Sequence, residues 1–294
     1  MRERTHLFHI ADYPVRITFL DTDTDDMSLL PSFGPFVCDD TENEPILDLT
    51  VDNSLKPRRD GSQVRDFDTG NGFTLVHALP DGGYQFVIRD ISGRDCCLMQ
   101  ASHRFRQCRC ALNGTRGMRS FGLNDAIMLA FAFSTAFHGG LLIHASCAMK
   151  DGWAYPFTAK SGTGKSTHTG LWMKHIEGVE LLNDDNPVIR IIGNEAFIYG
   201  SPWSGKTPCY RNMKVRLGAV TKIERAPANS IERQQPVSAF GMMLSACSSM
   251  KWDKEIYNLL CDTITRIVGI TPTYTLYCLP DKQAATLCHR TIAR

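Results

Sequence analysis

Apolar and polar positions alternate through the first third of the chain, and a period of two predicts strands. YPVRITFL (13–20) and PILDLTV (45–51) have strand composition and are separated by an acidic loop at 21–26. A clearer meander comes next: FTLVHAL (73–79), a turn at 80–83, YQFVIRD (84–90), a turn at 92–93 and CCLMQ (96–100). In its second strand Tyr84, Phe86 and Ile88 fall on one face while Gln85, Val87 and Arg89 fall on the other, the pattern of a half-buried sheet.

The pattern changes at about residue 112. LNDAIMLAFAFSTAFH (123–138) is apolar nearly all round with Asn124 and Asp125 at its start, which predicts a buried helix. GLLIHASCAM (140–149) predicts a strand, 150–152 a hairpin turn and WAYPFTA (153–159) its return. KSTHTGLWMKHIE (165–177) predicts a helix closed by Gly178. Strands are expected at 180–185, 187–192, 195–199 and 214–223, two helices near 237–249 and 253–268, a strand at 274–279 and a closing helix over 281–293. The expectation is an α/β chain, with a β-rich region over 1–112 and a second domain over 113–294.

Bulk properties narrow the function classes. Of 294 residues, 43% are apolar and 21% charged, as in ordinary globular proteins. A formal net charge of +1 gives no footprint for nucleic acid or an anionic membrane. Residues 126–149 lack Asp, Glu, Lys and Arg over a length that could span a bilayer. His138, Gly139 and Gly140 interrupt them, so a helix and a buried strand are expected, not a span. The stretch MRERTHLFHI has no apolar core of signal-peptide length. The eleven cysteines include no CxxC pair, and Cys108 and Cys110 lack the partner spacing of a zinc site. Reduced, buried thiols in a cytoplasmic protein are expected.

The sharpest chemistry lies at 159–167. Triphosphate binding needs converging backbone N–H groups, a lysine on the outer phosphates and a hydroxyl on magnesium. Ser161, Gly162, Thr163 and Gly164 can curl around an anion, Lys165 supplies charge, Ser166 a metal-binding hydroxyl, and Thr167 continues into the helix. The first glycine of GxxxxGK[ST] is Ala159 here. Residues 200–207, GSPWSGKT, match that pattern at every fixed position, yet Pro208 comes next and no helix begins. A loop with no helix behind it lacks the dipole and the unbonded amides. The first stretch is therefore expected to be the cradle.

Asp184 and Asp185 end a short strand after the cradle. Such a pair can deprotonate an acceptor hydroxyl with one member and hold magnesium with the other; by position Asp184 is read as the base and Asp185 as the ligand. His144 is placed on the strand over 140–149, which is expected to pair with the one feeding the cradle. His168 and His175 are read as packing or surface residues. The second loop, with an exposure-prone Trp203, is expected to carry Lys206 and Arg211 to the transferred phosphate or the acceptor.

The set of HAS before the loop, SGTGKSTHTGLW, LLNDD and GSPWSGK resembles the catalytic domain of bacterial HPr kinase/phosphorylase and its uncharacterised relatives, over roughly 120–225. That family shares its fold with ATP-dependent phosphoenolpyruvate carboxykinases. The resemblance implies a P-loop domain with a mixed sheet, preceded here by the β-rich region, with ATP and Mg²⁺ as cofactors. It places His144 near the transferred phosphate and implies transfer of the γ-phosphate to a hydroxyl, such as a serine of a protein or peptide acceptor; a homo-oligomer is compatible with it. Where the family has a metal-binding glutamate, residues 197–203 offer no carboxylate. The alternative readings are a non-catalytic nucleotide-binding regulator and a carboxykinase or other small-molecule phosphotransferase. The intact Asp pair favours turnover, because a sensor has no use for a base.

Overall fold

The computed structural model describes residues 3–39, 43–68 and 71–294. The chain forms two compact units, 1–138 with 250–254, and 139–249 with 255–294.

The first unit is a mixed sheet under one long helix. Its strands are β1 (Arg4–Ile10), β2 (Tyr13–Phe19), β3 (Val37–Cys38), β4 (Leu47–Val51), β5 (Ser62–Asp68), β6 (Gly72–Ala78), β7 (Tyr84–Asp90), β8 (Asp95–Ala101) and β9 (Gln107–Leu112), succeeded by α1 (Arg116–Ala136). Among the described residues their order is β3-β1-β2-β4-β9-β8-β7-β6-β5, antiparallel except where β4 lies parallel to both β2 and β9. Tyr84, Phe86 and Ile88 are buried as the alternation requires. The helix starts at Arg116, earlier than its apolar run, because the Thr115 hydroxyl accepts the Met118 N–H and caps it. Helix α1 packs on β4, β7, β8 and β9. The composition change at 112 thus marks the start of a helix that belongs to the first unit, and the division between units falls at 138–139.

The second unit contains β10 (Gly140–Leu142), β11 (Ala145–Lys150), β12 (Trp153–Thr158), α2 (Lys165–His175), β13 (Glu180–Asp185), β14 (Val188–Ile192), β15 (Glu195–Tyr199), β16 (Lys214–Leu217), β17 (Val220–Arg225), β18 (Ser230–Arg233), α3 (Pro236–Ala246), α4 (Lys254–Ile270), β19 (Thr273–Cys278) and α5 (Lys282–Ile292). Its sheet is mixed, as expected from the short strands. Strand β12 runs parallel to β16 and β17 on one edge and antiparallel to β11 on the other, with β13 beyond β11. One face packs Met242, Met243, Leu260, Ile264 and Ile267 of α3 and α4 against Ala145, Cys147 and Ala154. The opposite face packs Trp172 of α2 and Ala284, Ala285 and Cys288 of α5 against Ala148, Tyr155 and Phe157.

Two expected strands are each broken in two. Residues 140–149 divide at Ile143 and His144, whose N–H groups donate to Pro187 and Ala246 carbonyls instead of continuing one ladder. Residues 214–223 divide at Gly218, where a Cβ would lie 2.5 Å from the Tyr155 ring, and the chain there passes from the first half of β12 to the second. Trp172 sits against Tyr155, Phe157 and His289 with ring centroids 5.4, 5.2 and 5.2 Å away, pinning α2 to the sheet. Deleting such a buried side chain costs about 3–5 kcal/mol. No helix among the described residues is long and apolar enough to cross a membrane.

Candidate phosphate-binding and phosphotransfer site

The loop between β12 and α2 has the backbone that anion binding needs. Gly162 and Gly164 take φ of +74° and +126°, conformations that side chains resist. Gly164 stands at the helix N-cap, where no side chain bonds the first-turn amides. Those N–H groups and the positive end of the helix dipole are left for an anion. Ser161 and Gly162 are exposed on the loop, and Thr163 and Gly164 half-buried; Ser166 and Thr167 are exposed on the first turn of α2.

Lys165, His144 and Asp185 meet at one point. Lys165 Nζ lies 2.6 Å from His144 Nε2, and His144 Nδ1 lies 3.1 Å from Asp185 Oδ1. An ammonium has no acceptor, so Lys165 donates to Nε2; the ring proton then sits on Nδ1 and is donated to the carboxylate. Burial pulls the Lys165 pKa below its ordinary value, while Asp185 and Asp184 counter that shift. The break between β10 and β11 is what presents the imidazole here, and the pairing of Ala145 with Asp185 brings the carboxylate alongside.

Asp184 is held differently. Its side chain is 3% exposed, and one carboxylate oxygen accepts the Thr207 N–H at 3.3 Å. Its backbone carbonyl accepts the Gly205 N–H at 2.5 Å. The loop at 200–207 is therefore tied to the carboxylate pair on both sides of the exposed Lys206. A Cβ on Gly205 would stand 2.7 Å from the Asp184 carbonyl oxygen, so this glycine permits backbone contact and is not curling round an anion.

Two expectations for this loop need correction. Trp203 is 3% exposed, packed in the interior because its backbone is drawn in by Asn183 and Ser201. Arg211 pairs with Glu180 at 2.7 Å, at the opposite end of β13 from Asp185. At about 3.3 Å per residue, five residues of strand put roughly 16 Å between the two ends. The ion pair with Glu180 is also the main reason its pKa is raised.

Two residues escaped the sequence reading. Asn183 is the buried hub of the site: its carbonyl oxygen accepts the N–H groups of Asp185 and Asn186, and its amide donates to Ser201 and to the Trp203 carbonyl. The side-chain amide of Asn186 in turn donates to Asp185 Oδ2 at 2.7 Å. Preceding an Asp-Asp pair, an asparagine reads as turn composition. Arg225, exposed at the end of β17, donates to the Gly162 and Thr163 carbonyls. No motif marks it.

The donor set fits a magnesium–triphosphate group. Ser166 and Asp185 offer hard oxygens. Among the described residues no three His, Cys, Asp or Glu side chains form a ready cation cage. Magnesium that arrives on phosphates and keeps several waters needs only one or two protein ligands.

No family model and no curated protein matches the chain. Among solved structures, the HPr(Ser) kinase/phosphatase from Coxiella burnetii shares 11% identity at a TM-score of 0.32, over 51% of this chain and 95% of that one. A likeness of that degree carries no argument, so the functional reading stands on the geometry of the loop, the histidine and the carboxylate pair.

Proposed function

We propose that this chain is an ATP-dependent kinase of the HPr kinase-like, phosphoenolpyruvate carboxykinase-fold class. It moves the γ-phosphate of ATP to a hydroxyl, a serine of a protein or peptide acceptor being the expected substrate. The observation that carries the reading is the convergence of Lys165, from a glycine loop capping a helix, with His144 and Asp185 at 2.6 and 3.1 Å. An uncapped helix N-terminus binds anions by itself; a lysine and two carboxylates around it supply what transfer needs in addition.

In this reading the amides of Gly162, Gly164, Lys165 and Ser166 cradle the phosphates, and Lys165 exchanges His144 for a phosphate oxygen. Magnesium, when bound, neutralises charge on the outer phosphates, held by the Ser166 hydroxyl and Asp185. Asp184 takes the acceptor's proton. His144, kept in place by Asp185, stays beside the transferred group. Lys206 reaches the same region from the facing loop.

Calorimetry with magnesium-ATP tests the loop assignment. Lys165→Ala should weaken binding by about 2–5 kcal/mol, the usual loss when a partly buried charge pair is truncated. Lys206→Ala should leave it nearly unchanged. The reverse result would overturn the assignment. Labelled ATP with the chain and a cell extract then shows whether a protein acceptor is phosphorylated.

A further inference from the structure

On the face of the second unit's sheet opposite α2, a cavity of about 320 Å³ opens where α3 begins, α4 ends and β19 begins. Arg233, Gln235, Ala239, Val268, Thr271 and Thr273 line it, and it shares no residue with the phosphate loop or the carboxylate pair. Its volume lies at the small end of the range of about 300–1,000 Å³ common for small-molecule sites.

The wall carries polar groups that the fold itself does not use. Thr271 and Thr273 are 4% and 3% exposed, and neither hydroxyl has a hydrogen-bond partner among the described residues. A hydroxyl buried that deeply ordinarily has one, because leaving the bond unmade costs free energy. Their backbones are fixed: the Thr271 N–H donates to the Ile267 carbonyl at 2.8 Å, and the Thr273 carbonyl accepts the Gln234 N–H at 2.8 Å. Helix α3 starts at Pro236, which has no N–H, and no side chain caps it. The Ala239 N–H closes the first turn on the Gln235 carbonyl at 2.9 Å, which leaves the Val237 and Ser238 amides at the positive end of the helix dipole. Arg233 is the one charged residue of the lining, and its guanidinium has no ion pair or hydrogen bond among the described residues. The neighbouring Glu232 carboxylate is engaged by the Gln234 amide at 3.3 Å and the Tyr277 hydroxyl at 3.2 Å.

These groups define a ligand chemistry. One guanidinium beside two helix amides suits a single carboxylate, whose two oxygens match the planar fork. A phosphate dianion would find only that one cation. An ammonium group would need a carboxylate beside it, and none lines the cavity. Threonine hydroxyls both donate and accept, so ligand hydroxyls can satisfy them. We infer that this cavity is a binding site for a small hydroxycarboxylate, its carboxylate at Arg233 and the start of α3 and its hydroxyls on Thr271 and Thr273. The site is independent of whether residues 161–167 cradle a phosphate.

Calorimetry on the full chain tests it, with racemic glycerate as the probe and free serine, acetate and inorganic phosphate beside it. Glycerate should bind with a Kd of roughly 1 mM or tighter. It should bind at least tenfold more tightly than serine, in which an ammonium replaces the 2-hydroxyl, and than acetate, which has no hydroxyl. Arg233→Gln should weaken glycerate at least tenfold, and Lys165→Ala should leave it unchanged. Thr271→Val and Thr273→Val, each close to isosteric, should bring glycerate toward the affinity of acetate. Since the wild-type hydroxyls have no protein partner, both valine variants should melt no lower than wild type. Absence of glycerate binding, serine as tight as glycerate, unaltered binding in Arg233→Gln, or phosphate binding that Arg233→Gln abolishes would overturn the hydroxycarboxylate assignment. Loss of glycerate in Lys165→Ala would place the ligand on the cradle instead, and a lowered melting temperature in the valine variants would assign the hydroxyls to the fold; either result overturns the site.

Discussion

Replacing His168 with glutamine should abolish one contribution to wild-type stability, the one that is lost as pH falls from 6.5 to about 4. His168 is 3% exposed, edge-on to Phe157 at 4.8 Å, and its Nε2 accepts the Trp172 indole N–H at 3.1 Å. An indole only donates, so the ring's single proton lies on Nδ1, which has no hydrogen-bond partner among the described residues. Burial pushes its pKa down to about 4. The unfolded chain binds this proton near the ordinary value of about 6.5, and the folded chain resists it until about 4. The contribution is complete above pH 6.5 and declines as pH falls, levelling off below the folded value. About 2.5 units at 1.36 kcal/mol each give roughly 3 kcal/mol, a large share of a typical total of about 5–15 kcal/mol. Glutamine can still accept the indole N–H but cannot titrate. Asp125 on α1 acts in the opposite sense: burial lifts its pKa to about 7, so its contribution is lost as pH rises toward that value. Wild type alone would show a blunted profile, and the difference between wild type and variant isolates the histidine. Urea unfolding monitored by tryptophan fluorescence at a series of pH values measures it. Parallel profiles from pH 7 to 4 would refute a buried, neutral His168.

The carboxylate pair and its brace give two more tests. Asp184→Asn should keep magnesium-ATP affinity and lose about 10²–10⁴ in phosphotransfer rate, while Asp185→Asn should raise the magnesium concentration needed for activity; full turnover in either variant would contradict the assigned roles. Gly205→Ala forces a methyl to 2.7 Å from the Asp184 carbonyl oxygen. It should cost about 1–3 kcal/mol of stability and reduce turnover more than nucleotide affinity, whereas an unshifted melting temperature would mean that the loop contact is dispensable.

The glycine loop at 161–164 and the helix behind it were legible because few other structures suit those residues: glycines that take positive φ, then GKST, between an apolar strand and a helical pattern. The meander was legible from strand-rich residues, from the turns at 80–83 and 92–93, and from Tyr84, Phe86 and Ile88 sharing the buried face of β7. Strand β5 was not, because SQVRDFD is almost wholly exposed and has no apolar face to announce itself. Strand β9 did carry a signal. Cys108, Cys110 and Leu112 alternate and are buried, but cysteines weighed for redox and metal chemistry hide an ordinary strand period. Arg225 illustrates the harder limit. Its contacts reach back 62 and 63 residues to backbone carbonyls, whose positions depend on the sheet order and leave no mark on side-chain pattern.

The two stretches that share GxxxxGK[ST] spacing show why a pattern of residue types underdetermines chemistry. Glycine permits close approach of a backbone, but the element behind the loop sets which partner approaches. Behind Lys165 comes α2, so Gly162 and Gly164 lie at the positive end of a helix whose first-turn amides no side chain bonds, the setting that favours an anion. Behind Lys206 comes Pro208 and an extended segment, and the next helix is α3, beginning only at Pro236. With no dipole and no free first turn, the Gly205 amide is bonded to the Asp184 carbonyl, and the Thr207 amide to the same residue's carboxylate. The second loop thereby orients a carboxylate. In the proposed kinase both are needed, since a cradle without an oriented base binds ATP and transfers nothing, and Gly205 and Thr207 of the second loop hold the residue assigned to move the proton.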